Sequence, residues 1–207
     1  MAHARSDDLW FLAPGLLHHL SNAVFAARGQ LQLAALDGER ALPAQQALQR
    51  AQTALGIVRH LLPGAGGPVV VDAFVHGLGE MLRVPLRDLG LMLVIEAGAT
   101  GVVVDAATLL PAILDTVRGL AHAVPSGLGA VLTLTVTADT GTLGLLWRLE
   151  PGPGLLPFGL DWTKLAATVS LGLPAGVGVA ATARADGILV ALPATGAEIA
   201  DSDANLR

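Results

Sequence analysis

The feature that most constrains this chain is the run Pro63-Gly64-Ala65-Gly66-Gly67-Pro68, because two prolines and three glycines in so short a stretch stop any helix or strand. It divides the 207 residues into two patterns that need different folds. Before it, apolar residues recur at helical period; after it, helical and alternating stretches follow one another. The boundary separates a helical unit, residues 1–64, from a mixed unit, 65–194, and the polar, acidic residues 195–207 are expected to form a disordered tail.

In the first unit Leu17, Leu20, Val24, Ala27, Leu31 and Ala34 step by three and four residues, the seam of a helix that packs on partner helices. The spacing predicts a main helix over 14–36, with a break or second start at Pro14-Gly15 and an end at Asp37-Gly38. Leu48, Ala51, Leu55, Val58 and Leu62 repeat the spacing in a second helix that starts at Leu42-Pro43. Joined by a short turn, the two make an antiparallel hairpin. A lone hairpin cannot bury both seams, so a homodimer built on a four-helix bundle is expected. His18 falls outside the first seam. Asn22, one turn on, and Gly29 share its line on the helix surface, so the imidazole is displayed rather than packed. His19, about 100° further round, does not share that task and is read either as tuning the neighbouring field or as an ordinary exposed residue.

The second unit reads as a short strand at Val69 to Val71, a helix from Ala73 to Leu86, strands at Leu91 to Glu96 and Gly101 to Val104, and a helix from Ala106 to Val124. Val131 to Ala138 alternates Val or Leu with Thr and turns at Asp139-Thr140-Gly141 into a partner strand, Leu143 to Leu149. Leu155 to Thr168 shows little periodicity, Leu173 to Ala183 reads as a helix of small residues, and Ile188 to Leu192 as a last strand. The fold class is therefore α+β, a helical hairpin followed by an α/β sandwich.

A net charge of -5 without a basic run argues against nucleic acid, and the absence of cysteine removes disulfides, thiolate metal sites and cysteine nucleophiles. The N-terminal residues lack the pattern of a signal peptide, and the longest uncharged window, Leu165 to Ala183, carries Pro174 and several glycines, so no membrane span and a cytoplasmic location are expected. His60, His76 and His122 have no metal-ligand spacing; Asp105, Asp115 and Glu150 form no carboxylate pair.

With the elements in this order, Leu12 to Pro193 resembles the catalytic core of bacterial sensor histidine kinases, as in dimeric histidine phosphotransferases: a dimerisation and phosphotransfer hairpin, then an ATP-binding α/β sandwich. The phosphoacceptor box of that family corresponds to His18, His19, Leu20, Ser21, Asn22 and Gly29, and the stretch from Asp105 to Pro125 is similar to its nucleotide-binding helix. The departures are specific. Asp115, Gly119 and His122 stand at the positions of that helix, with Gly119 where the family uses an asparagine for Mg²⁺. The first glycine box reads Glu150-Pro151-Gly152-Pro153-Gly154, the second survives as Leu171-Gly172-Leu173, and His19 replaces the acid after the phosphoacceptor.

The resemblance so qualified implies a degenerate ATPase-like domain and a histidine phosphotransferase of two-component signalling. His18 exchanges a phosphoryl group with the aspartate of response-regulator receiver domains, and Asn22 contacts the phosphoryl oxygens or orients a water. No cofactor is expected on this chain: ATP binding is not expected, and Mg²⁺ is expected only on the receiver. Expected partners are a second copy, receiver domains and a sensor kinase; nucleic acid and membrane are not expected. The alternatives are a non-catalytic pseudokinase scaffold and a receiver phosphatase that uses Asn22 to place water.

Overall fold

The computed structural model describes residues 2–33, 42–62, 66–98, 101–124, 129–152, 159–172 and 178–194. The expected turn at Asp37-Gly38, the first residues of the Pro63 breaker and the tail lie outside them. Two helices lead, α1 (Ala2–Leu33) and α2 (Leu42–Arg59), followed by β1 (Pro68–Val70), α3 (Val71–Asp88), β2 (Leu91–Ala97), β3 (Val103–Asp105), α4 (Ala106–Ala123), β4 (Ala130–Asp139), β5 (Thr142–Pro151), α5 (Trp162–Gly172), β6 (Ala180–Arg184) and β7 (Gly187–Pro193).

The main sheet runs β2-β4-β5-β7-β6, parallel at β2–β4 and antiparallel elsewhere, while β1 and β3 pair in a small antiparallel ribbon. Alternation decides its two faces. Leu132, Leu134 and Val136 of β4, Leu143, Leu145 and Trp147 of β5, and Ile188, Val190 and Leu192 of β7 are buried in one core with residues of α3, α4 and α5. Thr133, Thr135 and Arg148 alternate with them and are less buried. Each of those apolar side chains contributes about 1.5–3 kcal/mol, so a register slip in the sheet is costly. The β4–β5 turn closes as its residues dictate, with Gly141 at φ 72° and the Asp139 carboxylate accepting from Thr140 N–H at 2.7 Å.

The helical hairpin does not stand apart. α3 is buried both toward the sheet and toward α1 and α2, and Leu12, Ala54, Ile57 and Leu61 of the hairpin join the same apolar core as the sandwich. Glycines set the approach. A Cβ on Gly77 would lie 2.7 Å from Thr53 Cγ2 of α2, and one on Gly15 would sit on the Met81 carbonyl oxygen of α3. That carbonyl is special, because Pro85 has no N–H and cannot supply its helical donor. Two turns before Gly15 on the same line of α1, buried Asp8 meets Arg118 of α4 at 2.5 Å, and Arg118 also holds Asp115 at 2.6 Å, a second tie between hairpin and sandwich. Burial pushes the Asp115 carboxyl above its ordinary value, and the Arg118 hydrogen bond and charge only partly oppose this. Ionised Asp115 therefore works against stability at neutral pH, and its contribution recovers as pH falls through its folded pKa toward the unfolded value.

Three expectations change. α1 passes unbroken through Pro14-Gly15, because losing one hydrogen bond is tolerated in a long helix packed on both sides of the site. Trp162–Gly172 is a helix, started by Asp161, whose carboxylate accepts from Lys164 N–H at 3.0 Å. Ala180–Arg184 is an edge strand rather than part of a helix of small residues. Among the described residues no helix is long and apolar enough to cross a membrane.

Candidate functional site

α1 carries three separate lines along its length. Asp8, Leu12, Gly15, His19 and Ala23 are buried toward α2, α3 and α4. Trp10, Leu17 and Val24, seven residues apart, lie on the roughly opposite side and are exposed. His18, Asn22 and Gly29 run between them. His18 and Asn22 are exposed, and a Cβ on Gly29 would meet nothing within 4 Å. The structure thus brings the two expected site residues together: Asn22 Nδ2 donates to His18 Nε2 at 3.1 Å. An amide nitrogen only donates, so Nε2 is the acceptor and the neutral ring carries its proton on Nδ1. The Nε2 lone pair is held by a group that can leave it.

His19 departs from expectation. It lies on the buried line, 8% exposed, with its ring centroid 5.8 Å from that of His18 in an edge arrangement and no hydrogen-bond partner for Nε2. The helical period that displays His18 turns its neighbour inward.

Both imidazoles line a cavity of about 350 Å³ between α1, α2 and α3, whose polar wall also holds Asn22, Arg50, Glu80, Arg83 and Arg87. Glu80 and Arg83 pair at 3.1 Å. The arginines escaped the reading of the sequence, since they come from two other helices and only docking of the hairpin on α3 collects them. Glu80, Arg83 and Arg87 at three- and four-residue spacing mark one exposed charged stripe of α3, which is the signal that could have found them.

The positions expected of a nucleotide-binding helix are occupied otherwise. Asp115 is held by Arg118, and His122 Nδ1–H donates to the Arg118 carbonyl at 2.7 Å. A Cβ on Gly119 would already touch Val169 Cγ2 of α5 at 3.4 Å. Among the described residues no three His, Asp or Glu side chains are grouped so as to hold a metal ion. Gly152, in the first glycine box, donates its N–H to Gly129 O at 2.8 Å and leaves no room there for a Cβ, so its glycine is explained by chain packing. Glu150 and Pro151 of that box end β5, and Pro153 and Gly154 lie outside the described residues. Gly119→Asn is expected to fold with a stability within about 1 kcal/mol of the wild type, since its Cβ meets only an ordinary contact, and to confer no nucleotide-dependent thermal shift. A stabilising shift with Mg²⁺ and ATP would contradict this account.

No protein-family model matches the chain, and no curated protein matches it in sequence. Its architecture is similar to that of histidine kinase AdeS of Acinetobacter baumannii, at 12% identity and a TM-score of 0.42, over 85% of this chain and 97% of that one. It is similar to histidine kinase ThkA, solved in complex with the response regulator protein TrrA, at 11% identity and a TM-score of 0.46, over 92% of this chain and 64% of that one. A bacterial phosphotransferase aligns at 16% identity and a TM-score of 0.37, over 91% and 96% of the two chains. Identities and TM-scores this low carry neither a family nor a residue's role across to this chain.

Proposed function

We propose that this chain is a dimeric histidine phosphotransferase of two-component signalling, which exchanges a phosphoryl group between His18 and the aspartate of receiver domains without ATP-dependent autophosphorylation. The observation that carries the reading is the displayed imidazole with Nε2 in the grip of Asn22 at 3.1 Å. When Asn22 turns aside, the Nε2 lone pair is free to attack the phosphorus of an aspartyl phosphate. The Nε2–P bond forms, the acyl phosphate P–O bond breaks, and its electron pair returns to the aspartate carboxylate. His18 keeps its proton on Nδ1, and the released amide of Asn22 is one turn away to donate to a phosphoryl oxygen. Mg²⁺ belongs to the receiver in this scheme, and Gly119, with no side chain to hold that ion, supports a reaction without ATP. The exposed lines Trp10, Leu17, Val24 and Leu48, Leu55, Leu62 support a second copy as partner.

Incubation with receiver domains charged by acetyl phosphate is expected to label His18 in the wild type and to leave His18→Ala unlabelled. Equal labelling of the two overturns the reading. Loss of receiver phosphate that persists in His18→Ala and disappears in Asn22→Ala would instead make the protein a receiver phosphatase.

A further inference from the structure

We propose that Arg50, Arg83 and Arg87 form a phosphoryl-binding pocket over His18, so that α3 of the sandwich is part of the phosphotransfer site. The proposal rests on His18 being the phosphoacceptor. Its own ground is charge that the fold has collected: three of the chain's 12 basic residues line one cavity with His18 and Asn22, in a chain of net charge -5. The carboxylate in the same wall, Glu80, is paired with Arg83 at 3.1 Å. Arg87 leans on its exposed neighbour Asp88 at 3.7 Å, a contact worth little in solvent. Arg50 has no ion-pair partner among the described residues. Counted over the wall, three guanidinium groups face one carboxylate, and a phosphoryl dianion supplies the balance.

Buried His19 adds a second, independent observation. Its Nε2 is enclosed, without a partner, in the wall of this cavity. Enclosed as it stands, it gains a partner when the ring turns toward the cavity, where a bound oxyanion would accept from Nε2–H. The pocket therefore offers donors from three helices around the nitrogen that carries the phosphoryl group. The three arginines and His19 are positioning residues, and His18 alone forms the bond.

The test uses small anions and the full chain, so that receiver docking plays no part. Phosphoramidate charges histidine by forming Nε2–P as its own P–N bond breaks and ammonia leaves with a proton. Charging of His18, followed by phosphohistidine detection, is expected to slow about tenfold in Arg50→Gln and further in the variant with Arg83→Gln and Arg87→Gln added, with partial recovery in Arg50→Lys. Wild-type rates in the triple variant overturn the pocket. A second measurement stands apart from phosphotransfer: inorganic phosphate is expected to protect His18 from diethyl pyrocarbonate in the wild type and not in the triple variant. Equal protection in both, or none in either, also overturns the pocket. Failure of His18 to take phosphate from either phosphoramidate or a receiver, with protection by phosphate intact, would instead remove the phosphotransfer reading and leave an anion site.

Discussion

Gly15→Ala is expected to destabilise the chain by about 3 kcal/mol or more, although alanine is the better helix former by about 1 kcal/mol. The sign is set by one contact. The added methyl would stand on the Met81 carbonyl oxygen, which is backbone and cannot rotate away. The carbonyl is available to Gly15 because Pro85 offers it no helical N–H, and the glycine α-hydrogen points at it as a weak C–H···O donor. Relief of the clash requires α1 to lift from α3, and Leu12, fully buried in the shared core, would lift with it. Arg83 and Arg87 would then leave His18, so phosphoramidate charging should fall to the level of the arginine variants. Denaturant unfolding and the charging rate measure the two effects on one sample. A Gly15→Ala chain that unfolds at the wild-type midpoint or above it would show that α1 does not dock on α3 through this contact.

The same residue shows where sequence reading stops. Pro14-Gly15 has the local chemistry of a helix break, and a period cannot reveal that the glycine serves an approach to a carbonyl sixty-six residues away in the chain. The sheet was legible because β4 and β5 face one way to the core and the other way toward solvent, which writes the alternation into Leu132 to Val136 and Leu143 to Trp147. β6 was not, since its Ala180, Ala181 and Ala183 fit either environment and erase the contrast. α5 hid behind weak amphipathicity, yet Asp161 before Trp162 was a cap in plain view.

At the site, the line of His18, Asn22 and Gly29 followed from three integers and the pitch of a helix, and the 3.1 Å contact agrees with it. His19 required knowledge of what stands beside α1. The period alone assigned the packed seam to Leu17, Leu20 and Val24, but within one chain α2 and α3 cover the line of Leu12, Gly15, His19 and Ala23. A helix with two apolar lines has two partners, and the sequence does not say which one belongs to its own chain. Arg50, Arg83 and Arg87 depend on the same choice, because they surround His18 only when the hairpin lies on α3.

The second apolar line leads to the other large effect expected, on association. Leu17 and Val24 are 62% and 67% exposed on α1, and Leu48 and Leu55, also seven residues apart, lie on the exposed side of α2, with exposed Leu62 just past its end. Intervals of seven are the period at which facing helices mesh, and a two-fold axis along the hairpin would set each stripe against its copy. Val24→Glu with Leu55→Glu then places four unpaired carboxylates in one dimer interface. At about 1–3 kcal/mol for each buried, unsatisfied group, the dissociation constant should rise by about a thousandfold or more, and the pair of substitutions should yield a monomer in sedimentation equilibrium where the wild type is a dimer. Both positions lie off the buried lines of their helices, so the monomer should keep its fold and its phosphate-protected His18. A wild-type chain that sediments as a monomer would remove the dimer from the proposal. Loss of the phosphate protection together with the dimer would mean that the second copy, and not α3 alone, holds the anion beside His18.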